Sequence, residues 1–117
     1  MNLQFFAKAV EYDEAIGGNL IRASFREDLD DDPFNSKKKH LVISQLYEFP
    51  DDASLQWYDG ESGGHYSGSE VSSYKLTEQL FELKMTNNVT FTIQHRGLKK
   101  VLAQIRHFLQ NELGTGQ

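Results

Sequence analysis

The sequence predicts an α+β fold: a mostly antiparallel sheet of about six or seven strands with one C-terminal amphipathic helix packed on it, forming a single domain over residues 1–117. Two observations carry this. In Leu98–Leu113 the apolar residues Leu98, Val101, Leu102, Ile105, Phe108, Leu109 and Leu113 recur at the three- and four-residue spacing of one helical stripe. Lys99, Lys100, Gln104, Arg106, His107 and Gln110 take the other face, and Gly114 follows as a stop signal. Upstream, Phe81, Leu83 and Met85 alternate with Glu82 and Lys84, and Val89, Phe91 and Ile93 alternate with Thr90, Thr92 and Gln94. That is the period of strands with one buried face. A large apolar side chain contributes roughly 1.5–3 kcal/mol when fully buried, so the helical stripe needs a partner surface. The sheet just before it is the nearest candidate.

The register of that last hairpin follows from keeping both apolar sets on one face. A two-residue Asn87-Asn88 turn would pair Met85 with Thr90 and separate the sets. A three-residue loop, Thr86-Asn87-Asn88, pairs Met85 with Val89, Leu83 with Phe91 and Phe81 with Ile93. It places Asn88 in the left-handed conformation that such loops require and Asn tolerates.

From the start of the chain, Leu3–Glu11 reads as a strand with imperfect alternation. Tyr12–Asn19, containing Gly17-Gly18, reads as a turn. Leu20–Arg26 alternates well, with Ile21, Ala23 and Phe25 on one face, and completes a hairpin with the first strand. Glu27–Lys39 is a charged surface loop, acidic at Glu27, Asp28, Asp30, Asp31 and Asp32 and basic at Lys37-Lys38-Lys39. His40–Phe49 is the third strand, ended by Pro50-Asp51-Asp52. Leu55–Tyr58 is a short strand holding the single Trp. Asp59–Ser69 reads as a glycine-rich loop or irregular crossing. Glu70–Leu76 resumes the sheet, and Thr77–Gln79 turns into Leu80–Met85.

Composition narrows the function classes. The chain has 117 residues and no cysteine, which excludes a disulfide framework and thiolate metal sites. No apolar run approaches the roughly 18 residues of a membrane span, and Met1–Ala9 lacks the pattern of a secretory signal. The expected compartment is the cytoplasm. Residues 1–70 hold fourteen acidic and six basic side chains, and residues 71–117 three and six, a split of −8 against +3. A negative field argues against a nucleic-acid backbone as partner. It suits a protein that is basic at its contact surface, or serves solubility alone.

No motif supplies a catalytic centre. Counted from Asp28, an EF-hand loop would need Gly and Glu where Pro33 and Lys39 stand. His40, His65, His95 and His107 form no paired metal-ligand spacing. The run Trp57–Gly68, WYDGESGGHYSG, gathers Asp59, Glu61, Ser62, His65, Tyr66 and Ser67, but matches neither a Walker loop nor a dinucleotide fingerprint. Three readings of it stay open. Its glycines serve a tight loop anchored by Trp57 and Tyr66, it recognises a protein, or Glu61, His65 and Tyr66 serve a small ligand-binding or catalytic site. No cofactor is expected. The candidate partner-binding residues are Asp28, Asp30, Asp31, Asp32, Asp59 and Glu61 as charge, with Trp57 or Tyr66 as aromatic anchor. Self-association through the helix or an edge strand is a further alternative.

From His40 the chain runs through an apolar strand ending in YEF, then W-Y-D-G-E-x-G-G-x-Y-x-G, a strand–turn–strand ending in LFELKM, then VTFTI and the helix LKKVLAQIRHFL. This resembles the immunity-protein family ten of bacterial polymorphic toxin systems, over about two-thirds of the chain. The resemblance implies a small α+β protein with a glycine-rich polar middle and a C-terminal helix. It also implies a function: binding a cognate toxin in the producing cell and blocking it, with no catalytic motif.

Overall fold

The structure, a computed structural model, describes residues 2–15, 20–27, 38–46 and 53–113. The acidic run Asp28–Asp32, the end of the third strand beyond Leu46, the Gly17-Gly18 turn and Gly114 lie outside the described residues. The chain is α+β, with nine strands among the described residues and one helix. The strands are β1 (Asn2–Ala7), β2 (Ala9–Ala15), β3 (Leu20–Arg26), β4 (His40–Leu46), β5 (Ser54–Tyr58), β6 (Gly63–Ser67), β7 (Val71–Leu76), β8 (Leu80–Met85) and β9 (Thr90–His95), followed by α1 (Lys99–Glu112). They form two sheets where one was expected, ordered β1-β9-β8-β7 and β2-β3-β4-β5-β6.

The sheets face each other across one core. Phe25 of β3 stacks on Phe81 of β8, with ring centroids 4.7 Å apart and planes 8° from parallel. Leu41, Ile43, Leu55, Leu83, Phe91 and Ile93 join them without measurable exposure. The chain changes sheet twice. At Lys8 it passes from β1 into β2, and at a 3-10 turn, Gly68–Glu70, it passes from β6 into β7. Ser67 and Glu70 fix the second corner with a capping box, each side chain accepting from the other end of the turn.

The first corner corrects the expected strand Leu3–Glu11. Leu3, Phe5, Ala7 and Ala9 are buried on odd positions, but past Ala9 the residues packed on the core are Val10 and Tyr12. The inward face therefore shifts by one residue, and β1 and β2 serve different sheets. β1 pairs in parallel with β9, while β2 pairs antiparallel with β3. A continuous strand would keep one phase; the change of phase is what the corner does to the pleat.

The β8–β9 hairpin has the expected register, Leu83 opposite Phe91 and Phe81 opposite Ile93. Asn88 has φ 69°, and the Met85 amide donates to the Val89 carbonyl at 2.8 Å. The helix buries Leu102, Ile105, Phe108 and Leu109. Phe108 meets Tyr12 edge-on at 6.2 Å. Leu98 departs from the expected stripe: it is the N-cap, in extended conformation (φ −68°, ψ 142°), and is 72% exposed. Its backbone has not yet entered the helical screw, so spacing alone misplaces it.

His95 is a titratable group inside the core. His95 is 1% exposed, and its Nδ1 accepts the Gly97 amide at 3.0 Å, which assigns the neutral ring's proton to Nε2. That Nε2 has no hydrogen-bond partner among the described residues. Burial pushes the His95 pKa below 6.5, and the backbone carbonyls of Thr77 and Leu80 only partly oppose this. The unfolded chain therefore takes up a proton that the folded chain refuses. Stability should be full above pH 6.5 and fall as the pH drops below it, with a slope approaching about 1.4 kcal/mol per pH unit until the folded pKa is reached. Urea unfolding at several pH values should show this fall. It should be visibly shallower in His95→Phe, with His40 supplying a part of the same sign.

Candidate functional site

The glycine-rich stretch is a hairpin rather than a loop. β5 and β6 pair Leu55 with Tyr66, Gln56 with His65, Trp57 with Gly64 and Tyr58 with Gly63. Asp59 builds the tip. Its Oδ1 accepts the amides of Glu61 at 2.9 Å and Ser62 at 2.7 Å, and Gly60 supplies a φ of 99° that an L side chain would resist. The Ser62 and Glu61 amides hold the Asp59 carboxyl below the usual carboxylate range. Asp59 is thus committed to the turn, and Glu61 beside it is exposed.

Alternation then sorts the remaining side chains. Leu55, Trp57, Gly64 and Tyr66 share the inward face, and Gln56, Tyr58, Gly63 and His65 share the outward one. Trp57 and Tyr66 stack at 6.3 Å and pack against the core cluster. They are the expected anchors of this segment, and alternation puts both on its inward face, although Trp57 is only half-buried and still reaches the groove described below. His65 and Tyr66 therefore do not converge, and Glu61 stands at the tip apart from both. The Trp57 Nε1 is buried with no acceptor among the described residues. A Cβ placed on Gly64 would lie 2.7–2.8 Å from the indole. Gly64→Val should therefore cost about 1–3 kcal/mol by displacing the ring, read as a lowered urea midpoint with a red-shifted Trp57 emission.

The outward face also holds Tyr58, which the sequence did not single out, and His40, which it weighed only as a metal ligand. His40, at the start of β4, lies directly opposite Tyr58, and their rings stack at 5.8 Å. Burial, and then the Arg26 cation, push the His40 pKa below 6.5, so the ring is neutral near pH 7. Arg26 in turn binds the Glu11 carboxylate. Glu11, Arg26, His40 and Tyr58 thus run across four strands as one row of contacts. Beside them an open groove of about 520 Å³ is lined by His40, Gln56, Trp57, Tyr58, Gly63, Gly64 and His65. Tyr58 could be placed beside His40 only by knowing the β4–β5 register, which the Pro50-Asp51-Asp52 signal between those strands does not fix.

Ser54 Oγ lies 2.6 Å from His65 Nε2, a hydroxyl within reach of a base. Among the described residues no carboxylate hydrogen-bonds the other ring nitrogen, and no cluster of three or more His, Asp or Glu could hold a metal. No described helix is long and apolar enough to cross a membrane. A second concavity of about 560 Å³ lies at the start of α1, between Phe6, Glu78, Gln94, Arg96 and Lys99. Lys99 and Glu78 bridge it with an exposed ion pair at 3.9 Å, which contributes little in water.

No protein-family model matches this chain, and no curated protein matches it either.

Proposed function

We propose that this chain is a non-catalytic immunity protein that seats on a cognate bacterial toxin and neutralises it by occlusion. The observation that carries the reading is the β5–β6 hairpin. Residues 53–70 contain Asp59, Glu61 and Glu70 and no Lys or Arg, and their outer face presents Tyr58 and His65 beside an open groove. Carboxylates at the hairpin tip, Asp59 and Glu61, next to an aromatic side chain complement the Lys and Arg residues at the mouth of a toxin's active site. Tyr58 replaces Trp57 and Tyr66 as the outward aromatic anchor in this reading. The −8 charge of residues 1–70, including Asp28, Asp30, Asp31 and Asp32, would steer a basic partner over longer range. The resemblance to immunity-protein family ten supports the same function.

The test is to express the toxin domain encoded beside this gene, alone and together with this chain. Arrest of growth by the domain alone, rescue by the pair, and a purified complex whose association slows with added salt are the expected results. Charge reversal at Glu61, Asp30, Asp31 and Asp32 together should reduce the low-salt association rate about tenfold. Failure to rescue, with no complex formed, overturns the proposal.

A further inference from the structure

An open sheet edge is a template for another chain, and proteins blunt the edges that should stay free. Among the described residues four strands lie at edges: β1, β7, β2 and β6. Three of them are blunted. Strand β2 carries the charged residues Glu11, Asp13 and Glu14. On β1, the Gln4 carbonyl is capped by Lys39 Nζ at 3.3 Å. β7 is irregular between Val71 and Ser73, carries Lys75, and has its Leu76 carbonyl capped by Arg106 Nη2 at 3.3 Å. β6, with the sequence Gly-Gly-His-Tyr-Ser, has no Lys, no Pro and no irregular pairing.

The backbone groups of β6 that have no partner among the described residues can be named. The Gly68 amide donates to the Ala53 carbonyl at 2.5 Å, and the Asp59 amide donates to the Ser62 carbonyl at 3.0 Å. Hydrogen-bonded pairs alternate along an antiparallel ladder, so Leu55–Tyr66 and Trp57–Gly64 are also bonded pairs. Gly63 and His65 therefore turn both N–H and C=O away from β5. The Ser67 amide, next in that row, is already taken by the Glu70 carboxylate at 2.9 Å, which ends the edge. Aromatic rings reach toward this edge on both faces. A Cβ at Gly63 would lie 3.3 Å from Tyr58 Cδ1, and one at Gly64 would lie 2.8 Å from Trp57 Nε1.

We propose that β6 accepts an extended basic segment of the partner protein as a sixth strand of its sheet, hydrogen-bonded through the backbone of Gly63 and His65. Strand addition gives affinity through the main chain and selectivity through side chains on either face. Here Tyr58 offers the outer platform, and the three carboxylates of residues 53–70, with no Lys or Arg, favour a basic occupant. The inference rests on the occlusion reading only for the partner's identity.

The probe is the blocked synthetic peptide Lys-Val-Thr-Val-Thr-Val-Lys, followed by residue-resolved amide exchange and by fluorescence anisotropy. In the free protein the Gly63 and His65 amides should exchange fast while those of Gly64 and Tyr66 are protected, and saturating peptide should slow the first two about tenfold. His65→Pro deletes one outward donor and none of the β5–β6 ladder, and should weaken binding about tenfold; His65→Ala keeps the amide and should change it less than about threefold. Replacing both terminal Lys by Glu in the peptide should also weaken it. Unchanged exchange at Gly63 and His65, equal binding by His65→Pro, or indifference to peptide charge overturns the inference. A toxin still neutralised under those results leaves occlusion standing and removes the edge; a protected edge with no toxin complex does the reverse.

Discussion

Phe81→Ala should lower the unfolding free energy by about 3–5 kcal/mol, a large fraction of the roughly 5–15 kcal/mol that holds a domain together. Phe81 is fully buried and lies flat against Phe25 of the opposite sheet at 4.7 Å. Truncation removes the contact that joins the two sheets at their centre and leaves a void between them. Phe25 and its neighbours hang on hydrogen-bonded strands and cannot collapse into that void without breaking ladders. Urea titration should show a lowered midpoint with little change in slope. Loss confined to one sheet's signal, with the other unfolding as in the parent, would show that the sheets do not share a core.

Ile105→Asp should prevent folding at neutral pH. Ile105 sits without exposure in the middle of the helical stripe, inside the cluster that both sheets share. A carboxylate there is left either charged with no partner or neutral at the cost of taking up a proton, and each costs several kcal/mol. Gln104→Asp, one position away on the exposed face, should stay within about 0.5 kcal/mol of the parent. Far-ultraviolet circular dichroism and thermal melting of the pair measure the difference. A folded, cooperative Ile105→Asp would mean that the helix is an accessory and not part of the core.

The helix and the last hairpin were legible in the sequence because their signals are local and redundant. The β8–β9 register follows from two alternating runs and one Asn, and Leu83–Phe91 and Asn88 are found as predicted. The break at Lys8 was not legible. Leu3, Phe5, Ala7 and Ala9 hold one phase across it, and the only trace is the shift to Val10 and Tyr12. The pairing of β1 with β9 has no local signature at all. Strand β6 was hidden for another reason: glycines depress the strand signal, and an edge with a largely polar sequence shows no apolar alternation. At the site, the glycine-rich stretch was read as a loop or irregular crossing, and the direction of its side chains depends on pairing with β5. That is why Trp57 and Tyr66 could be read either as anchors of the loop or as contacts for a partner, while Tyr58 went unnoticed and His40 was weighed only as a metal ligand.

The parallel strand pair has a consequence for how the protein comes into being. Thr90 Oγ1 donates to Asn2 Oδ1 across 88 residues of chain, and every β1 pairing spans a similar separation. During synthesis the second residue waits for the ninetieth. Strands β2 to β6 can assemble as a meander while translation continues, but the first segment stays unpaired, with Phe5 and Leu3 open to water, until β9 has left the ribosome. Maturation is therefore gated by the synthesis of β9, and a product lacking β9 would carry an orphaned apolar strand suited to capture by chaperones or proteases.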